Sequence, residues 1–71
     1  MSYEVSQYGD NKYYYDASGK PTRHEGKDRD GNRVETTYHN DGSYVTKVYE
    51  SNGNIRVENW NSDGTLDVEY E

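Results

Sequence analysis

Apolar and polar positions in this chain alternate in short runs cut at regular intervals by glycine. An aromatic residue followed four positions later by glycine recurs every eleven residues, at Tyr38–Gly42, Tyr49–Gly53 and Trp60–Gly64; an early copy stands at Tyr15–Gly19. Asp41, Asn52 and Asp63 precede three of these glycines, and Ser18 precedes the fourth. The intervening runs are rich in Val, Ile, Thr and Tyr, residues that suit a pleated, half-buried surface. Asn-Gly or Asp-Gly between such runs signals a hairpin, because these residues reach positive φ at little cost. Eleven residues are therefore one strand plus one tight turn, and strands are predicted at about 33–39, 43–50, 54–61 and 65–71. Upstream, 2–7 alternates weakly, with Tyr3 and Val5 on one side. Tyr8 to Asn11 turns around Gly9, 12–16 carries Tyr13, Tyr14 and Tyr15, and the next turn closes at Gly19. Pro21 cannot donate to a ladder, so 21–26 is expected to be short, at an edge or bulged. Residues 27–32 form a polar turn around Gly31.

Loop length then sets the register. A three-residue loop ending in a bulged Gly42 puts Tyr38 opposite Tyr44, Thr36 opposite Thr46 and Val34 opposite Val48. A two-residue Asn52-Gly53 loop puts Val48 opposite Val57 and Thr46 opposite Asn59. A two-residue Asp63-Gly64 loop puts Val57 opposite Tyr70 and Asn59 opposite Val68. One face then gathers Val34, Tyr38, Tyr44, Val48, Val57, Val68 and Tyr70. The other gathers Glu35, Lys47, Tyr49, Arg56, Glu58, Trp60, Asp67 and Glu69, with Lys47 facing Glu58 and Tyr49 facing Arg56. An antiparallel sheet with one solvated side has this pattern. The expected fold is all-β: a single domain over residues 1–71, an antiparallel meander of about six to seven short strands, strongly twisted or curled into a small open barrel. A sheet that self-associates to cover its apolar face ranks second.

Composition makes the core thin. Only 28% of residues are hydrophobic, half of them aromatic, with nine Tyr, one Trp and no Phe. With a net charge of −6 this lies in the range of disordered chains, and the strict turn period argues for folding instead. No cysteine is present to staple so small a scaffold. No apolar run approaches the roughly 18 residues of a membrane span and no leader-like segment opens the chain, so a cytoplasmic location away from membranes is expected. Residues 1–31 carry six acids and five bases, whereas 32–71 carry eight acids and only Arg33, Lys47 and Arg56. Residues 57–71 hold five acids and no base. That half is electrostatically opposed to nucleic acid and favours a basic protein partner.

Residues 8–20, with Tyr13, Tyr14 and Tyr15 between Gly9 and Gly19, resemble the aromatic–glycine repeats of choline- and glucan-binding cell-wall proteins. That resemblance implies carbohydrate or choline binding by the three tyrosines; it covers barely one repeat and lacks the tryptophan expected ahead of them. The Tyr-Asp-x-x-Gly core at 15–19, with looser copies at 38, 49 and 60, is similar to the tyrosine–aspartate repeats of large toxin shells, which implies a structural wall.

Catalytic and metal chemistry find little footing. Asp28, Asp30 and Gly31 sit like the start of a calcium loop, yet its first and twelfth ligand positions hold Gly26 and Thr37, so they read as turn residues. His24 and His39 have no second imidazole or thiol at ligand spacing. Neither a nucleophile arrangement nor a deep pocket is foreseen, so no enzyme, cofactor or metal is expected. The sharper signal is acidic. Asp67, Glu69 and Glu71 alternate along the last strand and project from one face about 6.7 Å apart. With Glu58 they would form a row that can occupy a site built for phosphates. Trp60 and Tyr49 on the same face have the composition of a binding hot spot. The expected function is a non-enzymatic acidic protein-binding module, in its most concrete form a small stoichiometric inhibitor, such as a phage-encoded antagonist of host defence, docking on the basic groove of a nucleic-acid-handling protein. A carbohydrate- or choline-binding repeat is the alternative, and a structural or designed hairpin sheet a third.

Overall fold

The computed structural model describes residues 4–71, the first strand by its backbone; Tyr3 of the expected alternation lies outside the described residues. Seven strands follow one another: β1 (Glu4–Tyr8), β2 (Asn11–Tyr15), β3 (Pro21–Lys27), β4 (Arg33–Tyr38), β5 (Tyr44–Tyr49), β6 (Ile55–Trp60) and β7 (Leu66–Tyr70). Each pairs antiparallel with the next, giving one sheet in the order β1-β2-β3-β4-β5-β6-β7. The described residues contain no helix, and none that could cross a membrane. The sheet stays open, with β1 and β7 as its two edges. Its extents are 37 × 30 × 19 Å. A flat single layer would be only about 10 Å thick, so the sheet is coiled, as right-handed strand twist requires.

Five of the six turns share one design. In the turn from β4 to β5, His39 N–H bonds the Ser43 carbonyl at 2.9 Å and Gly42 N–H bonds the His39 carbonyl at 3.2 Å. The same pair of bonds closes the turns at Asp16–Lys20, Asp28–Asn32, Glu50–Asn54 and Asn61–Thr65. Each is a three-residue loop ending in a glycine with φ between 83° and 91°, the pattern of a type I turn with a glycine bulge. The loop expected at Gly42 is thus present. The two-residue loops expected at Asn52-Gly53 and Asp63-Gly64 are not. They would need positive φ at the residue before glycine, and among the described residues no non-glycine residue adopts it. Only the β1–β2 turn is a two-residue loop, with Tyr8 opposite Asn11 and Gly9 at φ 61°.

This changes the faces. Val34, Thr36 and Tyr38 lie opposite Val48, Thr46 and Tyr44, as expected. From β5 onward every pairing is displaced by one residue: Val48 faces Arg56, Thr46 faces Glu58, Lys47 faces Val57, and Glu58 faces Val68. A slip of one residue moves a whole strand's side chains to the other surface. Val57 therefore belongs to the charged side, not with Val48. Arg56, Glu58 and Trp60 belong to the apolar side, so neither the Lys47–Glu58 nor the Tyr49–Arg56 pair exists. Strand β3 takes the bulged form among the three expected for it and is neither short nor at an edge. It has seven residues and lies inside the sheet between β2 and β4. Pro21 is accommodated as its first residue, beside a register shift that leaves Thr22 unpaired between the Tyr14–Arg23 and Tyr15–Pro21 pairs.

The apolar face is built of three rows crossing the sheet. Tyr38, Tyr44, Trp60 and Leu66 form the first; the second runs from Tyr13 and His24 through Thr36, Thr46 and Glu58 to Val68. Gly26, Val34, Val48, Arg56 and Tyr70 form the third. Val34, Val48 and Thr36 are buried here, and Thr36 bonds Thr46 hydroxyl to hydroxyl at 3.0 Å. The charged face buries Val57 instead. Lys47 lies directly opposite it on β5 and meets Glu71, just beyond the end of β7, at 3.0 Å, so the lysine stem crosses β6 over the valine.

Candidate partner-binding surface

The terminal strand β7 follows from the sequence Leu-Asp-Val-Glu-Tyr, whose alternation sends every second side chain to one face. Asp67 and Glu69 project from the charged face, and Glu71 continues the row. Asp67 accepts a bond from Asn61 Nδ2 at 3.2 Å and Glu69 from Asn59 Nδ2 at 3.2 Å. These neutral amides orient the carboxylates and leave their charge in place. Glu71 alone meets a cation, the half-buried Lys47. Glu58, expected in this row, lies on the opposite face and is held by Arg56 at 3.2 Å.

Tyr49 does share the charged face with the acidic row. Its hydroxyl donates to Glu35 Oε1 at 2.6 Å, and the Arg33 guanidinium sits 5.5 Å from its ring centre. Glu35 also takes a 2.6 Å bond from Arg23. The Tyr49 hydroxyl bond, with Arg33, Arg23 and Lys47 around it, holds the Glu35 carboxyl below its ordinary range despite partial burial. Trp60 leaves this group. It stacks on Tyr44 across the other face, with centroids 5.9 Å apart, and Tyr44 in turn meets Tyr38 at 5.7 Å. The six expected partner-binding residues thus divide, with Asp67, Glu69, Glu71 and Tyr49 on one surface and Glu58 and Trp60 on the other.

The tyrosine triplet is divided too. Tyr13 lies on the apolar face with its ring stacked on His24 at 4.6 Å, whereas Tyr14 faces Arg23 on the charged side. His24 is tied through Nε2 to Asn11 Oδ1 at 3.0 Å, a cross-strand role. Asp28 Oδ1 accepts the N–H groups of Asp30 and Asn32, each at 2.9 Å, as a turn residue does. Among the described residues no group of three or more His, Cys, Asp or Glu could hold a metal ion. One cavity of about 200 Å³ lies between the Asp16–Thr22 turn and Tyr38–Ser43, and another of that volume is lined by Arg23, Glu35 and Tyr49 on the charged face. Both are below the roughly 300 Å³ at which small-molecule sites begin.

Sequence reasoning placed Val68 and Tyr70 on the apolar face but missed Leu66 beside them and the exposure of the whole row. Leu66, Val68 and Tyr70 are 40%, 50% and 58% exposed. They extend the three apolar rows to the edge of the sheet, where the described residues supply no further strand. The signal lay in the alternation itself: with Asp67, Glu69 and Glu71 facing one way, Leu66, Val68 and Tyr70 must face the other.

These features define a single-sheet antiparallel β-meander with an amphipathic open edge. Compared with protein-family models, with curated proteins and with solved structures, the chain matches none.

Proposed function

We propose that this protein is a non-enzymatic binding module that docks on a basic surface of another protein through the β7 end of its sheet. The observation that carries the reading is the pairing of Asp67 and Glu69 with amide donors only, on a strand whose reverse side exposes Leu66, Val68 and Tyr70. Uncompensated charge raises the association rate with a basic partner, and the apolar row supplies the contact that holds it. The most concrete form is a stoichiometric inhibitor of a nucleic-acid-handling protein. Asp67, Glu69 and Glu71, about 6.7 Å apart at strand rise, would occupy positions built for phosphates.

The test begins with proteins retained from a lysate of the producing cell by the immobilised full chain at low and at high salt. The retained protein is then identified and titrated in purified form. The expected partner is basic, is released at high salt, and competes for the chain with its own nucleic acid. The variant D67N/E69Q/E71Q should associate about tenfold more slowly. Equal association by this variant, or no competition with nucleic acid, would count against the reading.

A further inference from the structure

We infer that β7 receives an eighth antiparallel strand from its partner, an extended segment in which apolar and basic side chains alternate. The inference rests on the binding-module reading and adds its geometry.

The backbone supplies the first argument. Asn61 N–H bonds the Thr65 carbonyl at 2.8 Å, and Glu71 N–H bonds the Ile55 carbonyl at 3.0 Å. In an antiparallel ladder the bonding direction alternates from residue to residue. The main-chain groups of Asp67, Glu69 and Glu71 therefore point inward to β6. Those of Leu66, Val68 and Tyr70 point outward, where the described sheet has no further strand. The residues with outward main-chain groups are the same three whose side chains are exposed on the apolar face. An added strand would take main-chain bonds at Leu66, Val68 and Tyr70 while its own facing residues extend the apolar rows.

Charge selects the occupant. The residues of an added strand that lie beside Asp67 and Glu69 fall on the charged face, where like charges repel and lysine or arginine is favoured. A second copy fits poorly. Two β7 strands paired about Val68 would place Asp67 opposite Glu69 of the other copy, twice. The other open edge, β1 (Glu4–Tyr8), contains no lysine or arginine to answer the acids. A foreign segment of alternating basic and apolar residues satisfies both rows.

The probe is a capped heptapeptide of alternating lysine and valine, compared with an isomer that carries its lysines in one block. With the alternating peptide, amide exchange at Leu66, Val68 and Tyr70 should slow tenfold or more, and the block isomer should bind at least tenfold more weakly. Val68→Pro deletes an outward N–H without touching the β6 ladder and should abolish the difference between the peptides. Should this variant fail to fold, methylating the valine nitrogens of the alternating peptide removes the same bonds from the other side, and that peptide should lose its binding. Equal, salt-sensitive binding of both isomers without amide protection would overturn strand addition and leave acidic docking standing. Absence of binding by either peptide would also overturn strand addition, while the slower association of D67N/E69Q/E71Q would still decide the docking itself. Protection of the same amides in peptide-free protein, with a doubled mass, would assign the edge to a second copy and overturn the inference.

Discussion

An oxygen of Asp or Asn closes each of the five three-residue turns, and its position in the turn differs along the chain. In the two earlier turns it belongs to the first residue: Asp16 Oδ1 accepts from the N–H groups of Ser18 and Lys20, and Asp28 Oδ1 from those of Asp30 and Asn32. In the three later turns it belongs to the residue before glycine: Asp41 accepts from Ser43 N–H, Asn52 from Asn54 N–H and Asp63 from Thr65 N–H. Hydroxyl bonds from Ser43 and Thr65, reinforced by those N–H groups, hold Asp41 and Asp63 below the ordinary carboxylate range; Ser18 and Lys20 do the same for Asp16. A carboxylate whose pKa is depressed by folding stabilises the fold above its unfolded value, near 3.9, and loses that contribution as pH falls through the folded value. Stability to urea should therefore decline below about pH 4. D41N/D63N, which keeps the acceptor oxygen as Asn52 does, should fold at pH 7 and show a shallower decline. Urea midpoints between pH 7 and 2.5 check this, and an unchanged acid slope would refute it. These residues also show why the loops were only half legible. Asp-Gly and Asn-Gly suit a two-residue turn as well as a glycine bulge. The hydroxyls of Ser43 and Thr65 bond back to Asp41 and Asp63 in two of these loops, but the Asn52 turn has the same shape with Asn54 and no hydroxyl.

At the scale of the strand, one residue of loop length decides which way a side chain points. An odd period of eleven combined with three-residue loops puts equivalent positions on alternate faces: Tyr38 on the apolar side, Tyr49 on the charged side, Trp60 on the apolar side again. With two-residue loops they would have shared a face, which is why Trp60 was expected beside Tyr49. Strand existence and order were legible because glycine and alternation mark them locally. Facing was not, because it depends on a count that accumulates from turn to turn. Gly26 on β3 makes a sharper case. It lies opposite the buried Val34, and a Cβ there would collide with Asn11 Oδ1 and come within 2.9 Å of His24 Nε2. The missing side chain thus makes room for the Asn11–His24 bond that ties β2 to β3. Gly26→Ala forces Asn11 aside and should cost about 1–2 kcal/mol, a lost hydrogen bond plus local overpacking. In an Asn11→Ala background the same change should cost less than half as much. Urea unfolding of the four proteins measures the coupling. An equal penalty in both backgrounds would mean that backbone strain, not the crowded side chain, sets the cost.

At the scale of the molecule, the described residues form one sheet with no second layer. Its accessible surface is 5203 Å², against about 4,600 Å² for a compact monomer of this mass. Burial instead comes from neighbours within each face, and the two faces bury different residues. Val34 and Val48 lie side by side on the apolar face, while Val57 is covered by Lys47 and Glu71 on the charged one. The backbone sheet separates these clusters, so their energies should be nearly independent. Each Val→Ala change should cost about 1.5–3 kcal/mol from lost transfer energy and residual cavity. V34A and V48A touch the same neighbours and should couple by at least about 0.5 kcal/mol, whereas V48A and V57A should add within about 0.5 kcal/mol. Sucrose in the urea titrations keeps the double variants folded without altering the comparison. Strict additivity of V34A with V48A would part the two valines that the apolar face pairs, and strong coupling of V48A with V57A would place those two in one shared core. The face assignment that brings Leu66, Val68 and Tyr70 to one side of β7, and Asp67, Glu69 and Glu71 to the other, would then be wrong as well. The stability cycle thus tests, without any partner in hand, the arrangement on which the docking surface depends.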